Sequence, residues 1–367
     1  MSVSIGARGV VACDRRFQLS KWGAINFGAP FACPAQDIPM NKPILVVDNL
    51  SVAFHTRRGT LLVIEDVCLS IEPGEIFAVV GESGAGKSVT GTAVMGLLDP
   101  SAEVKRGRIV LDGREIQNLD PHEWAQVRGR QVGAIFQDPM SSLDPLMRIG
   151  DQLVETIRCH SDLGSSEALQ KAETLLGEVG ISEPARRLRQ YPHEFSGGMR
   201  QRVVIALALC GSPRLLIADE PTTALDAWTQ VQIIALLKRL CRERGMAVML
   251  ITHDMGVVSA VADRTAVMYA GRVVECGGAK EIIESPRHPY TRGLMAAVPK
   301  IGDRTERLAQ IDGAMLAPSA RGDFCGFHPR CGFASAQCSA KAPPIVASEE
   351  RSVACWLDAN GDNRDAA

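Results

Sequence analysis

Between residues 44 and 276 the apolar positions fall into short blocks whose spacing changes from block to block. Ile44 to Val47 and Leu50 to Phe54 are apolar-rich and read as strands, and Leu61 to Ile71 reads as another that ends at the turn Glu72-Pro73-Gly74. Ile76 to Val80 is a continuous apolar run, the mark of a strand buried on both faces. Leu215 to Ala218 repeats that pattern, and Ala247 to Thr252 gives a third such strand. Ile109 to Leu111 and Val132 to Phe136 read as shorter strands. Helices are predicted from about Lys87 to Leu98, within residues 149–181, over Gly197 to Cys210, and over Ala227 to Arg244. The last carries Leu236, Leu237 and Leu240 on its apolar side. Thr265 to Tyr269 and Arg272 to Cys276 form a closing hairpin around Ala270-Gly271. Strands alternating with helices predict an α/β layer with a mostly parallel sheet.

The two ends differ in texture. Residues 1–42 show no period, are rich in Gly, Ala and Pro, and read as a poorly ordered extension. Met40 is an alternative start of translation, because the pattern begins just after it. Past residue 279 come a short helix (Glu281 to Glu284) and another from Tyr290 to Ala297. Beyond Pro299 the chain reads as a loop-like appendage. A length of 367 residues fits one large domain with an appendage, or two domains. Hydrophobic residues at 46% and charged residues at 22% exclude a mainly disordered chain. A net charge of −2 gives no field for nucleic acid or an anionic membrane, and 5% aromatics are too few for a base-stacking platform. The longest apolar run, Val203 to Cys210, is far short of the roughly 20 residues a membrane span needs. Arg8, Asp14, Arg15 and Arg16 break any secretory-signal pattern. A mean hydropathy of +0.03 leaves room for a face that docks on another protein.

Three motifs carry chemistry. Gly81-Glu82-Ser83-Gly84-Ala85-Gly86-Lys87-Ser88 fits the phosphate-binding loop, with a buried strand before it and a helix after it. Its glycines let backbone N–H groups cradle phosphates, Lys87 brings a mobile positive charge, and the Ser88 hydroxyl can ligate Mg²⁺. Asp219 and Glu220 close a buried strand, where one carboxylate can hold Mg²⁺ and the next can polarise a water. Ser196-Gly197-Gly198 opens a helix and is a second anion site, or simply a capped helix start.

With these in place, Phe195-Ser196-Gly197-Gly198-Met199-Arg200-Gln201-Arg202 resembles the signature of ATP-binding cassette (ABC) ATPases. The family's order is completed by Gln137 (Q-loop), Asp226 (D-loop) and His253 (switch histidine), with Phe54 where the family stacks an aromatic on adenine. The resemblance covers about residues 44–300. It implies a P-loop NTPase fold with a RecA-like core, an antiparallel β subdomain and a helical subdomain at about 138–195, inside an ATPase domain spanning 43–284. It also implies an ATP sandwich, in which Gly81 to Ser88 of one domain faces Ser196 and Gly198 of another and Asp226 couples the two sites. Ser88 and Gln137 would coordinate Mg²⁺, Asp219 would hold it through water, Glu220 would be the general base, and His253 would sense the γ-phosphate. Leu146, Met147 and Ile149 form a candidate face for a permease, or pack inside the subdomain.

Ser285-Pro286-Arg287-His288-Pro289-Tyr290-Thr291-Arg292-Gly293-Leu294 resembles the start of the C-terminal extension (285–367) of oligopeptide/dipeptide importer ATPases, a group that includes nickel and glutathione importers. Four of the eleven cysteines, Cys325, Cys331, Cys338 and Cys355, lie in it; the others are scattered singly and read as reduced thiols, mostly buried. The cluster suggests a metal staple. The absence of a Cys-x-x-Cys knuckle favours a [4Fe–4S] cluster over zinc, with uncoordinated thiols as the third alternative. The resemblance implies ATP and Mg²⁺ as ligands and a place on the cytoplasmic face of the bacterial inner membrane. Implied partners are two transmembrane permease subunits, a second ABC ATPase in a heterodimer, and an extracytoplasmic solute-binding protein; nucleic acid is not among them. Two other readings are kept. One is a soluble, non-transport ABC ATPase, although this chain has neither a second cassette nor a coiled-coil insertion. The other makes the appendage a metal-binding interaction module that regulates assembly.

Overall fold

The structure, a computed structural model, describes residues 42–361 apart from Arg58, Ala224, 299–309 and 349–350. The N-terminal extension up to residue 41, the alternative start at Met40, Cys13 and Cys33 lie outside the described residues. The chain opens with β1 (Leu45–Thr56), β2 (Gly59–Ile71), β3 (Ile76–Val80), α1 (Lys87–Val94), β4 (Ala102–Leu111), β5 (Arg114–Glu115), α2 (Pro121–Val127) and β6 (Val132–Ile135). Helices α3 (Ile149–His160), α4 (Ser165–Glu178), α5 (Pro184–Arg187) and α6 (Gly197–Leu209) follow. Next come β7 (Leu215–Asp219), α7 (Ala227–Arg244), β8 (Ala247–Thr252), α8 (Met255–Val261), β9 (Arg264–Tyr269) and β10 (Arg272–Gly278). The C-terminal part holds α9 (Ala279–Glu284), α10 (Pro289–Ala296), α11 (Ala336–Ala340), β11 (Ile345–Ala347), β12 (Arg351–Ala354) and α12 (Trp356–Ala359).

Two sheets result. The smaller is antiparallel, in the order β2-β1-β4-β5. The larger has eight strands in the order β11-β12-β10-β9-β3-β8-β7-β6. Its stretch from β9 to β6 is parallel, as the alternation of strands and helices predicts. The continuous apolar runs now have a cause. Leu216, Ala218, Val248 and Leu250 enter the core on one face, with α3, α4, α6 and α7. Leu215, Ile217, Met249 and Ile251 enter the core on the other face, with the small sheet and α1. Both faces are dry, so no polar position interrupts the strand. Leu236, Leu237 and Leu240 are buried, as their helical spacing predicts. Ala270 and Gly271 both have positive φ, at 49° and 86°, which is the backbone a tight hairpin between β9 and β10 requires.

Some elements differ from the sequence reading. The two N-terminal strands are one, β1, with register shifts between Val47 and Val52 and Asn49 at φ 50°. Helix α1 stops at Val94 rather than near residue 98, because Gly96 turns at φ 62° against the Trp124 ring. Ile149 is fully buried in the helical core, so it contributes nothing to an exposed face; Leu146 beside it is 85% exposed. The appendage is not merely loop. Strand β12 pairs with β10, β11 pairs with β12, and Val353 is fully buried.

A buried ion pair holds that addition in place. The Glu275 carboxylate is completely enclosed and bonds the Arg351 guanidinium through Nε at 3.0 Å and again through Nη2. It also accepts the backbone N–H of Arg287 at 2.9 Å and of His288 at 3.2 Å. Removing one partner of such a pair strands the other charge in a dry site. Arg351→Ala is therefore expected to lower the unfolding free energy by about 3 kcal/mol, read from urea denaturation.

Candidate functional site

Four neighbouring strands, β3, β8, β7 and β6, end at one edge of the sheet, and the candidate residues follow their carboxyl ends. Gly81 leaves β3, Gln137 follows β6, Asp219 and Glu220 close β7, and His253 follows β8. A cleft of about 640 Å³ lies there, and Gly81, Glu82, Ser83, Gly84, Gly86, Lys87, Ser88, Gln137, Glu220 and His253 line it. Ala85 is in the loop but buried beneath it.

The loop backbone needs its glycines. Gly81 has φ 153°, and a Cβ there would stand 2.2 Å from the Met268 carbonyl oxygen. Gly86 has φ 104°, and a Cβ there would meet Ile64 at 2.5 Å. Helix α1 begins at Lys87 and points its unpaired N–H groups at the cleft. The Lys87 ammonium is buried and donates to the carbonyls of Gly81 at 2.8 Å and Glu82 at 3.1 Å. Burial pushes its pKa down, and the charges of Glu220, Asp219 and Glu82 oppose that shift.

The carboxylates are tied to their neighbours. The Ser88 hydroxyl donates to Asp219 Oδ1 at 3.1 Å. Burial raises the Asp219 pKa, with the Ser88 hydrogen bond working against it. Glu220 sits at φ 48°, a conformation side chains rarely adopt, and its N–H bonds the Ile251 carbonyl at 2.8 Å. Gln137 Nε2 donates to Glu220 Oε2 at 3.1 Å and Thr223 Oγ1 donates to the same oxygen at 2.9 Å, while His253 Nδ1 bonds Oε1 at 3.1 Å. Burial alone would raise the Glu220 carboxyl, but the hydrogen bonds from His253 and Thr223 outweigh it and hold the group below the usual carboxylate range. Such a group is ionised at neutral pH and stands beside an ammonium, a hydroxyl and an imidazole.

Other candidates lie elsewhere. Ser196 is exposed at the start of α6, where its hydroxyl accepts the Met199 N–H at 3.4 Å. A Cβ at Gly198 would stand 2.5 Å from Thr229 Cγ2. Asp226 caps α7, accepting from Thr229 N at 3.0 Å and Thr229 Oγ1 at 2.7 Å. None of the three lines the cleft of its own chain. Phe54 does not line it either; it packs against the core shared with the small sheet. Val63, Val89 and Leu294 are the apolar side chains at the cleft instead. None of them belongs to a motif. Thr223 also went unread, although it belongs to the Thr223-Ala224-Leu225-Asp226 run.

Cys325, Cys331, Cys338 and Cys355 line a second cavity of about 80 Å³, with Phe327 and Trp356 among its walls. Burial raises the thiol pKa of Cys325 and Cys331 and pushes that of Cys355 up to about 11. Among the described residues, no group of three or more His, Cys, Asp or Glu side chains stands as a ready ligand set for a metal ion. Nor is any helix among them long and apolar enough to cross a membrane.

Residues 64–223 match the ABC transporter family, and residues 274–338 match the oligopeptide/dipeptide transporter C-terminal region. The dipeptide transport ATP-binding protein of Bacillus subtilis is 45% identical over 318 residues, covering 86% of this chain and 95% of its own length. A putative peptide import ATP-binding protein of Brucella abortus is 44% identical, with 84% of this chain and 95% of that protein covered. Among solved structures, a dimeric ATP-binding cassette in a post-hydrolysis state with ADP and Pi aligns at TM-score 0.57 and 28% identity. That alignment covers 64% of this chain and 98% of the cassette. The cassette cbiO1 of Clostridium perfringens, part of an ABC transporter complex, aligns at TM-score 0.59 and 28% identity over 66% of this chain and 91% of its own. The strand-end cleft, the order of its motifs and these matches together place the chain in the ABC transporter ATPase family, within the oligopeptide/dipeptide transporter group.

Proposed function

We propose that this chain hydrolyses ATP as one half of a head-to-tail ATPase pair, and so drives import of peptides or a related small solute. The observation that carries the pairing is the position of Ser196 and Gly198. They open a 13-residue helix outside their own cleft, with Ser196 exposed and Gly198 half-buried, so a phosphate-binding helix end is left over for a partner's nucleotide. The solved cassette bound to ADP and Pi is itself a dimer. In this reading the phosphate loop and Lys87 hold the ATP phosphates. Gly81, Gly84 and Gly86, all at positive φ, give the loop the backbone that a phosphate cradle needs. Ser88, Asp219 and Gln137 offer the hard oxygen donors that suit Mg²⁺, which would neutralise charge on the phosphates. Glu220 takes the proton of the attacking water, oriented by Thr223 and by His253, which also contacts the γ-phosphate. Asp226, at the start of α7, couples the two sites.

The import reading rests on the C-terminal match and on the printed functions of the relatives. It places the chain on the cytoplasmic face of the bacterial inner membrane. There it would sit under two permease subunits, beside a second, different ATPase chain, and be supplied by an extracytoplasmic solute-binding protein. The exposed Leu146, with Met147 following it in the chain, supports a permease-docking face in a helical subdomain at about 138–195 of a 43–284 ATPase domain. A pull-down from gently solubilised membranes should recover two hydrophobic permeases and a second ATPase. Recovery of soluble proteins only would favour a non-transport role.

For the 285–367 extension we propose a [4Fe–4S] cluster held by Cys325, Cys331, Cys338 and Cys355. What supports it is the donor type: four thiols line one cavity, and each sulfur accepts an amide N–H. The N–H groups of Phe327, Phe333 and Leu357 bond Cys325, Cys331 and Cys355, and that of Ser335 approaches Cys338 Sγ at 3.5 Å. Amide donors of this kind stabilise sulfur that carries negative charge. When bound, the cluster would act as a structural staple. Anaerobic purification should give brown protein with broad visible absorption; colourless protein free of iron and zinc, with all four thiols titratable, would sink the assignment.

The catalytic assignment has its own check. Glu220→Gln should leave ATP binding intact and lower hydrolysis by about 100-fold or more, whereas Lys87→Ala should weaken ATP binding itself. Wild-type turnover in Glu220→Gln would show that another group is the base.

A further inference from the structure

The phosphate loop carries a carboxylate of its own. Glu82 lines the cleft, and its charge acts on Lys87 alongside those of Asp219 and Glu220. An anion-binding loop is a poor place for a free negative charge, since it repels the ligand that the backbone attracts. In this structure the charge is not free. Arg330 Nη1 bonds Glu82 Oε2 at 2.9 Å, and the Arg330 side chain is only 5% exposed. The same guanidinium is locked from other sides. Its Nε donates to the Asp312 carbonyl at 2.8 Å, its Nη2 to the Ile311 carbonyl at 2.9 Å, and its Nη1 also to the Tyr269 hydroxyl at 3.2 Å. The Glu82 backbone is held as well: its N–H donates to the Tyr290 hydroxyl at 2.9 Å. Both halves of this loop residue are therefore fixed by side chains far along the chain, at positions 290 and 330.

Resting on the reading that the cleft binds ATP, we propose that Arg330 is a positioning residue of the nucleotide site, which neutralises the Glu82 carboxylate and holds it off the phosphates. The C-terminal extension thereby completes the phosphate loop, whatever its cysteines hold. Arg330 acts through Glu82, not on ATP, and that gives it a signature that a packing role lacks. Neutralising Glu82 must make Arg330 dispensable for affinity.

The test is equilibrium binding of a non-hydrolysable ATP analogue to the full purified chain. Arg330→Gln is expected to raise Kd about tenfold at low salt, with the loss shrinking as salt screens the exposed carboxylate. Arg330→Lys keeps the charge and should stay within about threefold of wild type. The Arg330→Gln, Glu82→Gln double variant should bind within about threefold of Glu82→Gln alone, so that the arginine matters only while the carboxylate is charged. An unchanged Kd in Arg330→Gln overturns the proposal, and so does a double variant weaker than Glu82→Gln by as much as Arg330→Gln is weaker than wild type. Should Arg330→Gln fail to fold, Arg330→Lys still decides, because a tenfold loss in that chain, with the positive charge kept, contradicts a charge role for the pair. Wild-type chain that binds no analogue would sink the ATP reading itself, a result distinct from wild-type affinity that the Arg330 variants leave unmoved.

Discussion

A parallel sheet buried on both faces can present chemistry only where its strands stop. That constraint organises this molecule. Strands β3, β8, β7 and β6 are packed from above and below, so their side chains are buried except Ala134 and the strand-end Asp219, which are partly exposed. At their carboxyl ends the chain must turn. The turns bring a glycine loop, a carboxylate pair, a histidine and a glutamine to one edge, from positions between 81 and 253. The same packing that fixes the strand ends fixes the distances between these groups. Glu220 shows the cost: its backbone leaves β7 in a left-handed conformation, tied to β8 through the Ile251 carbonyl.

What was legible in the sequence follows from how local each signal is. Leu215 to Ala218 announces a doubly buried strand by itself, and the phosphate loop is a contiguous string. The hairpin at Ala270-Gly271 needs only two adjacent residues. Strand β12 was not legible, because Arg351-Ser352-Val353-Ala354 has one large apolar residue and no alternation. Its pairing is decided by Glu275, 76 residues earlier, whose buried charge demands a partner. The first half of β4 was missed for a related reason, since Ala102 to Gly107 is charged and largely exposed. Val63 and Leu294 reach the cleft by tertiary placement alone, while Phe54, an apt aromatic by position, packs half-buried against the core. Ile149 is absorbed by the helical core although its neighbour Leu146 is exposed.

The extension is built into the ATPase rather than hung from it. Tyr269 of β9, Tyr290 of α10 and Phe327 form one aromatic cluster, with ring centroids 4.5 to 5.5 Å apart. Aromatic packing of this kind adds specific orientation to burial. Arg321 reaches the carbonyl of Val63 in β2 at 2.9 Å and that of Gly84 in the phosphate loop at 3.5 Å. The large sheet, the small sheet and the phosphate loop therefore all take contacts from residues beyond position 285.

The place of β12 in the sheet order bears on how such a chain tolerates being shortened. β10 is an edge only if β12 is absent, and an uncovered edge is a row of unpaired N–H and C=O groups that recruits other chains. Cutting the protein before β11 would open that edge and leave the Glu275 carboxylate without its arginine at the same moment. Self-association, not loss of a discrete module, is then the natural fate of a truncated chain, and β11 and β12 act as its guard against aggregation.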